Sequence, residues 1–308
     1  MHGAIQRLRD NIQTVLIGQP TAVDSVIRCL IAGGHALIED VPGVGKTVLA
    51  SALAKSVSAS FSRIQLTPDL LPSDVLGVSI YNRDTGLFEF KKGPIFANIV
   101  LADEINRTTP RTQTALLEAM NESSVSVDGN VIPLERPFML LATQNPYEFE
   151  GTYLLPENQL DRFLMRIRVG YPSAEDEARI LVERPATNAL QSLEAVVTPA
   201  DVIGLQNAAD AVRIDASLTE YIVQLTTATR AHDEVRVGIS PRGSLAIAQA
   251  ARATALMDER DHVIPEDILD NALAVWSHRL VLHSGPFDTQ GAADAIIEGL
   301  LTSVASPV

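Results

Sequence analysis

Asp40-Val41-Pro42-Gly43-Val44-Gly45-Lys46-Thr47 decides how this chain is read. A short apolar run, His35-Ala36-Leu37-Ile38, precedes it, and Val48 to Val57 follow with apolar positions at helical spacing. The succession is strand, loop, helix. The loop fits the pattern G-x-x-x-x-G-K-[ST] everywhere except its first position, where Asp40 stands. In that pattern, backbone N–H groups at a helix N-terminus cradle phosphates. Lys46 is then expected to reach the β- and γ-phosphates of a nucleotide, and the Thr47 hydroxyl to bind Mg²⁺. Gly43 and Gly45 let the backbone approach the anion closely. Asp40 sits at the strand end, and its carboxylate must turn away from the phosphates. The plain alternative is a glycine-rich structural turn.

Two later stretches belong to the same chemistry. Ile99-Val100-Leu101-Ala102 reads as a buried strand, part of the apolar run from Phe96 to Leu101, and it delivers Asp103 and Glu104 at its carboxyl end. Ligands of open α/β sheets bind at that end. Asp103 is expected to orient Mg²⁺ or its waters, and Glu104 to polarise an attacking water as general base. A base for water points to hydrolysis rather than to transfer onto an acceptor. Leu140-Leu141-Ala142-Thr143-Gln144-Asn145-Pro146 ends another apolar run in an amide, which can hold a lytic water against a γ-phosphate. Taken alone, Asn145-Pro146 is also an ordinary turn.

Outward from these stretches, residues 4 to 16 and 22 to 33 carry helical spacing around Ile17-Gly18-Gln19-Pro20. Phe61 to Leu66 reads as a strand, Leu71 to Leu76 as a short helix, Thr108 to Glu122 as a helix, Phe138 to Ala142 as a buried strand and Ile167 to Val169 as a last one. Hairpins are expected at about 79–91, turning at Asn82 to Gly86, and at 124–134, turning at Asp128-Gly129. Alternating strands and helices imply a parallel sheet flanked by helices. After Pro172 strands give way to capped helices: Ser173-Ala174-Glu175-Asp176 and Thr198-Pro199-Ala200-Asp201 carry an N-cap with an acid three residues on, and Ser240-Pro241 puts proline at the first helical position. The expected organisation is an α/β core over 1–172 and a small all-helical domain over 173–308.

In order and spacing these motifs resemble those of the AAA+ ATPases, and more narrowly the MoxR branch. The matching stretches are Gly34 to Gly43, Arg63 to Asp74, Asp103 to Arg107, Ala142 to Pro146, Glu150 to Tyr153 and Leu160 to Phe163, within a likeness running from about Gly18 to Leu282. The resemblance implies a P-loop αβα sandwich followed by a helical lid. It implies ATP and Mg²⁺ as cofactors, with Thr47 and Asp103 at the metal. It implies a nucleotide pocket made of Ile17 and Gly18 on the adenine and of Pro42, Gly43, Val44, Gly45, Lys46, Thr47 and Val48. Asn145 matches the first sensor. Arg162 matches the arginine finger that reaches the γ-phosphate of a neighbouring subunit, with a surface salt bridge to Asp161 or Glu157 as the alternative. Arg242 matches the second sensor on the lid, with a solvated helix arginine as the alternative. Both hairpins resemble inserts that border a central pore, although either one could simply cover a sheet edge. A homo-oligomeric, hexameric ring follows from the finger. A chaperone-like role follows from the branch, on partners that often carry a von Willebrand factor A domain; metal insertion into a partner is a close relative of that role.

Composition weighs the rivals. The 308 residues are 46% hydrophobic and carry a formal net charge of −14, with no basic run. That opposes bulk attraction to nucleic acid or to anionic membrane, and so counts against a nucleic-acid motor. A nucleotide-gated binding module with negligible turnover has no need of Glu104, Asn145 or Arg162. The single cysteine, Cys29, lies in an apolar helical stretch, forbids an intrachain disulfide and fits a reducing, cytoplasmic compartment. The first residues alternate charged and apolar types rather than forming a signal peptide, and no apolar run reaches a membrane-spanning ~18 residues. Arg107 and Arg111 could approach a neighbouring nucleotide, though helix arginines are usually solvated. His278 and His283 have the wrong offset for a metal site on one helix face.

Overall fold

The computed structural model describes residues 2–41, 43–145, 153, 155–185, 189–284 and 289–307. Its elements run α1 (His2–Gln13), α2 (Pro20–Ile31), β1 (Ala36–Glu39), α3 (Lys46–Ser56), β2 (Phe61–Gln65), α4 (Pro72–Leu76), β3 (Gly77–Asn82), β4 (Leu87–Lys92), β5 (Ile99–Asp103), a 3₁₀ turn over Ile105–Arg107, α5 (Pro110–Glu122), β6 (Ser124–Val127), β7 (Asn130–Pro133), β8 (Met139–Gln144), α6 (Glu157–Leu160) and β9 (Met165–Ile167). There follow α7 (Ala174–Glu183), α8 (Ala189–Ser192), α9 (Pro199–Asp210), α10 (Ala216–Ala231), β10 (Val235–Val237), α11 (Pro241–Met257), α12 (Pro265–Trp276), a 3₁₀ turn over Ser277–Arg279, β11 (Val281–Leu282) and α13 (Thr289–Ser303).

Five strands form one parallel sheet in the order β2-β5-β8-β1-β9. The central strands β1, β5 and β8 are apolar and buried almost throughout, as a strand covered on both faces must be. Alternation sends Ala36, Ile38, Ile99, Leu101, Met139 and Leu141 into one core with α1, α2 and α3. Leu37, Val100, Ala102, Leu140 and Ala142 enter a second core with α5. The first core continues without a break into α9, α11 and α12, so the helical half shares its interior with the α/β half.

Both hairpins form where the turns were expected: β3 pairs with β4 around residues 83–86, and β6 with β7 around Asp128-Gly129. The three caps form as well. Ser173 accepts from Asp176 N, Ser240 from Gly243 N, and Thr198 closes a capping box with Asp201.

Three details differ from expectation. The last strand, expected at Ile167 to Val169, spans Met165–Ile167. The strand sought at Phe96 to Leu101 begins only at Ile99. Ile95 N is hydrogen-bonded to Val75 O, and the Phe96 ring packs on Phe90 at 5.7 Å, so this stretch is held by α4 and the first hairpin instead of the sheet. The helical half also carries a two-stranded antiparallel pair, β10 with β11. Strands of three and two residues are too short for an alternating pattern to register.

The two halves are bolted together beside the sheet. Arg279, buried after α12, donates from Nε to Asp161 Oδ1 at 2.8 Å and from Nη2 to Phe163 O at 2.6 Å, and it also reaches the carbonyls of Leu164 and Val275. Burial pulls this guanidinium down to about 10, against the opposing pull of Asp161, which leaves it a cation at neutral pH. The neighbouring His278 ring contacts Phe163 O at 3.1 Å. A second joint lies at β9: buried Arg166 donates to Asp294 of α13 at 2.9 Å and stands 3.5 Å from Glu39, the last residue of β1. Burial pushes the Glu39 carboxyl up, and Arg166 opposes that shift.

Candidate functional site

The loop after β1 leads straight into α3, whose first two residues are Lys46 and Thr47. Gly45 precedes the helix at φ +99, in the left-handed region, and a Cβ there would come 3.0 Å from Leu16 Cδ1. Gly43 is also left-handed, at φ +89. Val44 and Val48 are half-buried against the first core. Lys46 Nζ folds back onto Asp40 O at 2.6 Å. Pro42 lies outside the described residues, as do Pro146 and Glu150-Gly151-Thr152 of the matching stretches.

Asp40, the departure from the loop pattern, does turn its carboxylate away from the loop interior. Oδ1 accepts from Val41 N at 2.8 Å, while Oδ2 accepts from Val169 N at 2.9 Å and Gly170 N at 2.6 Å. The side chain thus ties the loop to the segment after β9. Gln19 reaches the same place, donating to Gly170 O at 3.0 Å. Ile17 is buried beside it, and Gly18, at φ +76, lies so close to α7 that a Cβ would meet Asp176 at 2.7 Å. The segment expected on the adenine therefore lies between the loop and the start of α7.

β1, β8 and β5 are consecutive neighbours, so the loop, Asn145 and the Asp103–Glu104 pair emerge at one sheet edge, with β1 and β5 about 10 Å apart. Asn145 is half-buried just past β8. Glu104 takes φ 59°, ψ 55°, a conformation that costs a non-glycine residue roughly 1–2 kcal/mol and that marks many working sites. Thr143 holds this corner: its hydroxyl accepts from Glu104 N at 2.9 Å and donates to Asp103 Oδ1 at 2.5 Å.

Sequence reasoning gave no role to Arg63 or Gln65 and weighed Arg107 only against a neighbouring nucleotide. Arg63, on β2, donates to Asp103 Oδ2 from Nη2 at 2.6 Å and from Nε at 3.2 Å. Gln65, two residues on and so on the same face of the strand, donates to Glu104 Oε2 at 2.8 Å. Arg107 reaches that same oxygen at 3.3 Å, so it serves Glu104 of its own chain. Polar Arg63 and Gln65 at alternate positions of the strand were a visible signal; that β2 would pair with β5 was not.

Of the two arginines, Arg162 is engaged on α5. Arg162 Nη1 donates to Leu117 O of α5 at 2.8 Å, and the Asn121 amide oxygen accepts from Nε at 3.3 Å and Nη1 at 2.8 Å. The salt bridge to Asp161 or Glu157 does not form: Asp161 takes Arg279 and Ser240, and Glu157 takes Arg236. Arg242 is exposed at the second position of α11, near enough to Arg279 to lower it.

The residues suit a magnesium-bound triphosphate. The Thr47 hydroxyl and Asp103 carboxylate are hard oxygen donors. Lys46 and the α3 N-terminus supply the positive side, and the two left-handed glycines keep the loop clear of Cβ atoms.

Comparison with known proteins identifies the family. The family described as ATPases associated with various cellular activities (AAA) matches residues 35–165, and an AAA lid domain matches residues 227–300. An uncharacterized protein, YeaC, of Bacillus subtilis (strain 168) is 50% identical over 308 residues, covering 100% of this chain and 96% of its own. Chaperone MoxR1 of Mycobacterium tuberculosis is 39% identical, covering 98% of this chain and 82% of its own. The crystal structure of a presumed ATPase from Cytophaga hutchinsonii superposes with a TM-score of 0.90 at 38% identity, covering 100% of this chain and 96% of that one.

Proposed function

The chain belongs to the MoxR family of AAA+ ATPases, and from that premise we propose that it hydrolyses ATP with Mg²⁺ as a ring, hexameric in number, that remodels or activates a partner protein. The observation that carries this reading is the convergence of Lys46, the Asp103–Glu104 pair and Asn145 on one sheet edge.

In this reading the α3 N-terminus and Lys46 bind the β- and γ-phosphates, having released the Asp40 carbonyl. Thr47 and Asp103 hold Mg²⁺, which when bound neutralises charge between the phosphates. Glu104 accepts the proton of the attacking water, and the Asn145 amide orients that water. Ile17 and Gly18 line the adenine between the loop and α7. Arg242 senses the γ-phosphate from the lid. Arg162 faces α5 rather than its own loop, which favours a finger offered to a neighbouring subunit.

The name of the mycobacterial relative supports a chaperone-like role, and a von Willebrand factor A domain is the partner module that the family resemblance implies. The apolar side chains exposed on the first hairpin, among them Leu87 and Phe88, suit contact with such a client. The net charge of −14 and the single buried cysteine suit a cytoplasmic protein working on proteins rather than on nucleic acid.

Steady-state phosphate release by Glu104→Gln tests the chemistry. The substitution keeps size and hydrogen bonding but removes the base, so turnover should fall about 10²-fold or more while nucleotide binding persists. Turnover near that of the wild type would refute the assignment.

A further inference from the structure

The acid that is to hold Mg²⁺ already carries a cation of the chain's own. Asp103 Oδ1 is committed to the Thr143 hydroxyl at 2.5 Å, and Oδ2 receives two N–H groups from Arg63 at 2.6 and 3.2 Å. The pair is lopsided. The Asp103 side chain is 15% exposed and fixed at the end of a central strand, whereas the Arg63 side chain is 48% exposed on the edge strand β2. A guanidinium with a long stem open to solvent can leave, and the carboxylate cannot follow. A hydrated divalent cation and a guanidinium cannot share one carboxylate oxygen without strong like-charge repulsion.

We propose that Arg63 is a placeholder cation: its guanidinium competes with Mg²⁺ for the Asp103 carboxylate and must swing out when Mg²⁺ and nucleotide enter. This rests on the nucleotide reading given above. Arg63 is a positioning residue here, acting through Asp103 and touching neither water nor phosphate. It holds the acid in place together with Thr143, and the metal must compete with it. A divalent cation alone gains too little to displace it, whereas Mg²⁺ brought with a triphosphate also gains Lys46 and the α3 N-terminus. The pocket therefore loads both together.

The test is a magnesium titration of nucleotide binding, not of turnover, using the full chain and fluorescent AMP-PNP. Arg63→Gln should lower the half-saturating Mg²⁺ about 3–10-fold, as expected for loss of one half-exposed ion pair from the competing state, and change affinity in EDTA by less than about 2-fold. Arg63→Lys, which keeps the charge but not the fork, should fall between. In an Asp103→Asn background the Arg63→Gln substitution should no longer move the midpoint. A midpoint unchanged or raised in Arg63→Gln, in protein whose melting curve shows it folded, overturns the placeholder and leaves Arg63 a strut of the sheet edge. If the wild-type chain takes up no AMP-PNP with or without Mg²⁺, the nucleotide reading itself fails, and the placeholder falls with it.

Discussion

At the scale of single residues, Asp40 carries the clearest argument. The common loop pattern has glycine at its position, yet here the carboxylate accepts from three backbone N–H groups, two of them beyond β9. Hydrogen bonds to a charged acceptor are each worth more than neutral ones, and their donors are part-buried. Asp40→Gly would complete the general pattern and should nonetheless weaken the protein, by about 2–4 kcal/mol in urea unfolding, with glycine's added chain entropy contributing. An unchanged midpoint would mean that water takes over these donors. The requirement that this carboxylate point away from the phosphates was readable from the sequence, because an anion cannot face an anion. Its destination was not, since nothing in a linear chain places residue 40 beside residues 169 and 170. The same holds for Arg63 and Gln65: their shared face follows from strand alternation, but their meeting with Asp103 and Glu104 depends on which strand β2 joins.

At the scale of elements, His35 shows how the site is held. It stands just before β1, its Nδ1 accepts from Leu140 N of β8 at 2.9 Å, and its Nε2 lies 3.0 Å from Met120 O near the end of α5. One neutral ring thus joins a strand start, a neighbouring strand and the helix that follows Glu104. Burial pulls its pKa down to about 4, the Met120 carbonyl opposing, and burial lowers His278 in the same sense. The unfolded chain therefore binds more protons in this range, so stability is full above about pH 6.5 and is lost as pH falls toward 4, by about 3 kcal/mol for His35 alone. Urea midpoints at pH 7, 6 and 5 should decline, and the decline should flatten in His35→Gln if the variant stays folded. A wild-type profile flat over that interval would rule out a buried neutral His35. Most elements were legible because each had length enough for its period to show: the hairpin turns, the capped helices and the buried strands β1 and β8. The β10–β11 pair was not, and the start of β5 was displaced because Phe96 found a ring to pack on.

At the scale of the whole molecule, the position of Arg162 poses the decisive question. Its guanidinium lies on α5, held by Leu117 O and Asn121, and in the proposed function the loop it serves belongs to another copy of the chain. In the proposed ring, a heterologous, head-to-tail interface would bring that surface of one subunit to the nucleotide edge of the next. Each active site is then made of two halves: Lys46, Asp103 and Glu104 from one chain, Arg162 from its neighbour. Mixing separates these halves. Glu104→Gln lacks the base but keeps the finger, and Arg162→Ala lacks the finger but keeps the base. Each should be nearly inactive alone, since a finger contributes about 10³-fold or more to phosphoryl transfer. In a random equimolar mixture, a site is complete when an Arg162→Ala subunit sits beside a Glu104→Gln one, which restores about one quarter of wild-type turnover for a closed ring with independent sites. Phosphate release across a mixing series should peak near equal amounts of the two proteins and vanish at either end. If Arg162 worked within its own chain, no mixture would recover activity, and the ring would have no catalytic reason to exist.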